Sequence, residues 1–163
     1  MRHNGTIQAS MDDMIAKYGW AVQAVFGVHG EHGNPPFSYT VGLAAKNLPE
    51  IIVFGIPHRV AHTFLNALAR RFTTTGVPPF DTDLHDVAEG YPARLILAPR
   101  EESDQYMFAT KNRYPDYAAV QLVWPDDKGR YPWVDGFNPK LVRQQPVLRD
   151  IYMERKLSKE NQP

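Results

Sequence analysis

No cysteine occurs among the 163 residues of the chain. That absence excludes disulfides, thiolate nucleophiles, cysteine-bound zinc and iron–sulfur clusters together, so any metal would have to be held by histidine and carboxylate. An excess of one charge is lacking too. Eighteen Lys and Arg offset eighteen Asp and Glu, and neither sign gathers in a block. No electrostatic footprint for nucleic acid or an anionic membrane results, and neither partner is expected. The opening "MRHNGTIQASMDDM" has no apolar stretch of the signal-peptide kind, and no later run reaches the roughly 18–20 residues that cross a bilayer. A cytoplasmic protein is the expectation. Catalytic signatures are equally scarce: there is no glycine-rich phosphate loop, no G-x-S-x-G elbow around Ser38 and no complete triad.

What the chain does have is 43% hydrophobic and 12% aromatic residues, enough for one core of ordinary size. The expected organisation is a single globular domain over 1–148 followed by a polar C-terminal tail over 149–163. "SMDD" opens a short helix from Ser10 to Lys17, which Gly19 ends. Trp20–Val28 reads as a strand and His29–Pro36 as the loop after it. "FSYTVGL" alternates strictly, with Phe37, Tyr39, Val41 and Leu43 on one face and Ser38, Thr40 and Gly42 on the other. "EIIVFGI", Glu50–Ile56, is nearly all apolar and reads as a strand buried on both sides.

A helix is expected from Pro57 to about Phe72. "FDTDLHDVAEGY" reads as an acidic loop, Ala93–Pro99 as a strand and "EESDQYMFATKNRY" as a helix. "AVQLVWPD" is a further strand, returning through Asp127, Lys128 and Gly129 to a short strand on "RYPW". Near the end, "VLRDIYMERKL" could form one short helix. This order predicts an α+β fold: a largely antiparallel sheet, curled or closed into a split-barrel-like core, with two or three flanking helices.

The stretch "IPHRVAH" places His58 and His62 four residues apart at the start of the expected helix. At about 100° per residue, Val60, Ala61, Phe64, Leu65, Leu68 and Phe72 form the apolar stripe and both histidines lie on its border, where a pocket rim would be. Ile56 in the cap position has no side-chain acceptor, so backbone donors are left for water, another segment or an anion. A histidine pair at this spacing can chelate a metal, but a third ligand is needed, and Arg59 stands where an H-E-x-x-H motif has its glutamate. Only folding could bring Asp81, Asp83, His85 or Asp86 near. No metal site is therefore assigned. Ser38 and Thr40 could offer hydroxyls to a polar ligand beside Gly42, or simply form a partly exposed sheet face. Trp124, Tyr131, Trp133 and Phe137 could stack on a planar ring, although cross-strand packing explains them more cheaply. Asp126 and Asp127 read as turn formers. The candidate ligand-binding residues are Ser38, Thr40, His58, His62 and Trp124.

Three segments, "YGWAVQAVFG", "PPFSYTVGLAAKNLPEIIVFGIPHRVAHTFLNAL" and "VQLVWPDDKGRYPWVDGFNP", together resemble a bacterial family known as domain of unknown function 4262. The resemblance implies a compact bacterial or phage-borne domain and supplies no catalytic residues. A fainter similarity runs to flavin-reductase-like split barrels; it implies a flavin near Ser38, Thr40 and His58, and a homodimer. Three readings follow. The first is a domain binding a small anionic or planar ligand near the 58–62 helix start. The others are a flavin- or nucleotide-dependent oxidoreductase and a protein-interaction module.

Overall fold

Glu50–Phe54, the third strand, is buried along its whole length and separates two apolar layers. The computed structural model describes residues 2–27 and 35–162. In chain order the elements are α1 (Arg2–Tyr18), β1 (Ala21–Val25), β2 (Phe37–Val41), a 3₁₀ turn (Leu43–Lys46), β3 (Glu50–Phe54) and α2 (His58–Thr74). There follow β4 (Leu84–Ala88), β5 (Tyr91–Ala98), α3 (Arg100–Ser103), α4 (Phe108–Arg113), β6 (Ala119–Val123) and α5 (Leu148–Glu160). The strands form one six-stranded sheet in the order β1–β2–β3–β6–β5–β4. Its neighbours are antiparallel except β3 and β6, which run parallel with Ile51 opposite Val120 and Val53 opposite Leu122. The architecture is α+β, as the order of elements implied, and the sheet is open rather than closed into a barrel.

Alternation along the central strands produces the two layers. Ile51 and Val53 of β3, with Val120 and Leu122 of β6, meet Ala61, Leu65, Leu68, Ala69 and Phe72 of α2. Full burial of Leu65 removes a side chain from water for roughly 1.5–3 kcal/mol. On the other face, Ile52 and Phe54 join Phe37, Tyr39 and Val41 of β2, with Met11, Met107, Tyr117 and Leu148. Both faces being covered, β3 is apolar from Ile51 to Phe54, and its one polar side chain, Glu50, is buried at its start. Ser38 and Thr40 belong to the first layer and are buried, so the partly exposed face considered for β2 does not occur.

Several expectations are corrected at the level of elements. The first helix begins at Arg2 rather than Ser10. Pro57, with ψ 139°, is the cap of α2 rather than its first helical residue, and Val60 is 39% exposed instead of joining the stripe. The acidic segment contains β4, an edge strand anchored by buried Leu84 and turned into β5 at Gly90, whose φ is +82°. The single helix after Pro99 is split into α3 and α4 by Met107, which is fully buried and non-helical. "RYPW" forms turns and no strand; Pro132 cannot donate to a ladder there. Apart from Pro35 and Pro36, the loop expected at His29–Pro36 lies outside the described residues. The short helix expected on "VLRDIYMERKL" is present as α5, extended to Glu160, and it packs Leu148 and Ile151 on the second layer. No helix among the described residues is long and apolar enough to cross a membrane.

Candidate functional site

Facing α2, Ser38 and His58 meet each other: Ser38 Oγ lies 3.2 Å from His58 Nδ1. Phe26 sets its ring edge-on to the imidazole at 4.5 Å, and His58 Nε2 is buried without a hydrogen-bond partner among the described residues. No side chain caps α2; the Pro57 carbonyl accepts from Val60 N and Ala61 N. His62 is exposed and engaged separately, taking a hydrogen bond from Asn66 Nδ2 at 3.1 Å. Asn66 Oδ1 in turn accepts from Trp20 Nε1 at 2.9 Å. The two imidazoles thus serve different neighbours.

Thr40 is committed to the scaffold. Its hydroxyl donates to Glu50 Oε1 at 2.9 Å and accepts from Ile51 N. The Glu50 carboxylate, fully buried, also accepts from the backbone N–H groups of Gly42, Leu43 and Ala44. Burial pushes its carboxyl above the usual range, and hydrogen bonds from Gly42, Thr40, Ala44 and Leu43 pull it back. Gly42 does permit a close backbone approach, but by the chain itself: a Cβ there would lie 2.7 Å from Gly19 O. Sequence reasoning missed Glu50, although a carboxylate heading the apolar run "EIIVF" was the available signal.

Trp124 lies elsewhere, on the α2 side of the sheet beyond β6. With Ile56, Phe64, Val87, Tyr91, Ala93, Leu122, Pro125 and Leu141 it lines a cavity of about 370 Å³, with Asp126 and Asp127 also in the lining. Ile56 follows β3 and Trp124 follows β6, so the cavity sits where the parallel pair ends. Its tryptophan is held firmly. The indole Nε1 donates to Phe54 O at 2.8 Å, while the Gln145 side chain accepts from Trp124 N and donates to Trp124 O, both at 2.9 Å. The structure brings Ser38 and His58 together, whereas Thr40, His62 and Trp124 are each engaged apart from them. Ile56 and Phe64 are the link between the helix start and the cavity.

The expected clustering of aromatics divides across the sheet because Val123 and Trp124 project to opposite layers. Tyr131 and Trp133 stack at 5.2 Å on the far side, with the Arg94 guanidinium over Tyr131 and that of Arg149 over Trp133. Tyr131 donates to Asp83, which also pairs with Arg94, and Asp81 pairs with Arg149. Asp86 pairs with Arg71, and His85 is exposed. None of these carboxylates is drawn into a ligand set with His58 and His62. Among the described residues, no group of three or more His, Asp or Glu side chains is placed to hold one metal ion.

Asp126 is the turn former its position suggested. Its buried carboxylate accepts from the N–H groups of Lys128, Arg130 and Asn138 and from Arg130 Nε. Burial raises its pKa, but these donors outweigh that, first Arg130 N and then Asn138 N, Lys128 N and the Arg130 guanidinium, and hold the carboxyl below the ordinary value. Asp83 is lowered as well, chiefly by the Tyr131 hydroxyl. A lowered native pKa gives stability that is present above the unfolded value and lost as pH falls through the native one. The near-ultraviolet dichroism of Tyr131 and Trp133 is therefore expected to decline on acidification below about pH 4. Asp126→Asn should weaken that signal already at pH 7 and flatten its acid dependence. An unchanged acid profile in the variant would assign the transition to other carboxylates.

A family model described as Domain of unknown function (DUF4262) matches residues 14–138. With most of its length matched, the chain belongs to that family. No curated protein and no solved structure matched it.

Proposed function

We propose that this domain binds a small, flat, largely apolar ligand in the cavity beside Trp124. The observation that carries this reading is the pairing of an apolar hollow of about 370 Å³ with a tryptophan whose indole N–H is bonded to Phe54 O and whose own backbone N–H and C=O are both held by the Gln145 side chain. Ligand pockets have about this size or more, roughly 300–1,000 Å³, and combine apolar walls with few polar groups. A ring already fixed before binding loses little conformational freedom when a ligand stacks on it. The chemistry of the walls favours a planar body over an anion, because the charged groups in the lining are Asp126 and Asp127. A flavin phosphate finds no basic or hydroxyl side chain there other than the Tyr91 phenol.

The test is a protein-observed NMR screen of planar heterocycles, with flavin mononucleotide included, against the native protein and Trp124→Ala. Binders are expected to shift the Trp124 indole N–H resonance and to lose at least about tenfold in affinity in the variant, the scale of a stacked aromatic contact with its buried area. Binders that move other resonances and bind Trp124→Ala equally well would place the ligand site elsewhere.

A further inference from the structure

We propose that the cavity beside Trp124 selects organic cations: ligands with a flat apolar body and a protonated amine or quaternary ammonium at one end. This inference rests on the ligand-binding reading above and adds the charge of the ligand. Three aromatic side chains, Phe64, Tyr91 and Trp124, line the cavity, and aromatic rings attract a cation through their quadrupoles. Two carboxylates share the lining, and no Lys, Arg or His does.

The two carboxylates differ in what they have left to offer. Asp126 is buried, balanced by the Arg130 guanidinium and filled by three backbone donors. Asp127 is exposed and makes no hydrogen bond or ion pair among the described residues. Its charge is therefore uncompensated at the mouth, where it draws cations and repels anions. Full burial of an ammonium group would cost more than aromatic attraction returns. The geometry resolves this by division: the apolar body fills the hollow, and the charged end stays near Asp127 and the 67%-exposed ring of Tyr91 in contact with water.

Three probes of one shape separate charge from fit: 1-naphthylmethylamine, 1-naphthylmethanol and 1-naphthoate, titrated into the full chain at low salt while the Trp124 indole N–H resonance is followed. The amine is expected to bind about fivefold tighter than the alcohol, the scale of one cation–π contact plus one exposed ion pair, with the carboxylate weakest. Asp127→Asn, or 0.5 M salt, should cut the amine's advantage over the alcohol to roughly twofold, the part that the cation–π contact keeps. If the alcohol binds at Trp124 and the amine binds no tighter, the cation inference fails and the pocket reading stands. If none of the three perturbs Trp124, both fail.

Discussion

Glu50→Ala is expected to destabilise the protein by about 3–5 kcal/mol, the loss typical of removing one partner from a buried charged network. The Glu50 side chain is an anchor for a tight turn rather than a surface charge. Its two oxygens take the N–H groups of Gly42, Leu43 and Ala44 and the hydroxyl of Thr40. Alanine would leave the buried N–H groups of Gly42 and Leu43 and the part-buried N–H of Ala44 without this partner, each costing about 1–3 kcal/mol before water enters or the turn relaxes. A domain of this size holds about 5–15 kcal/mol in all, so a large part of its stability is at stake. The measurement is urea denaturation followed by far-ultraviolet dichroism. Glu50→Gln should lie between the two, since it keeps one acceptor but turns an amide N–H₂ toward N–H donors. A loss under about 1 kcal/mol in Glu50→Ala would show that the turn holds itself.

The same residue shows what the sequence made legible. Strands were readable where one rule sufficed: "EIIVF" and "AVQLV" are nearly continuous apolar runs, and both proved buried on two faces. The polar exceptions inside them carried information that run-length reasoning discards. Glu50 binds the turn, and Gln121, buried in β6, donates to Pro146 O and accepts from Leu148 N, seating the start of α5. Gln145 treats Trp124 as a missing strand would. Such bonds join residues distant in sequence, so no local pattern announces them. The parallel pairing of β3 with β6 has the same character. It placed Trp124 beside Ile56 and Phe64 and left Ser38 to His58, a partition that helix periodicity alone could not foresee.

Gly55→Ala is expected to cost about 2–4 kcal/mol and to weaken binding in the cavity at the same time. Gly55 links β3 to the segment before α2 at φ +74°, and its N–H donates to Pro36 O. A Cβ there would stand 2.6 Å from Gln144 O and 3.0 Å from Trp124 Cζ2. The first contact is with backbone, so no rotamer change relieves it. The second pushes the ring that the cavity depends on, and Gln145, which holds Trp124 N and O, follows directly after Gln144. Gly76→Ala supplies the comparison, because Gly76 has φ +94° but nothing within 4 Å of an added Cβ; conformational strain alone should cost it about 1–2 kcal/mol. The excess in Gly55→Ala then measures the crowding between β3, Gln144 and Trp124. If both variants melt alike and the Trp124 indole resonance stays in place, the tryptophan is held less firmly than its hydrogen bonds imply. If Gly55→Ala alone moves that resonance, the end of the parallel pair and the cavity wall behave as one packed unit.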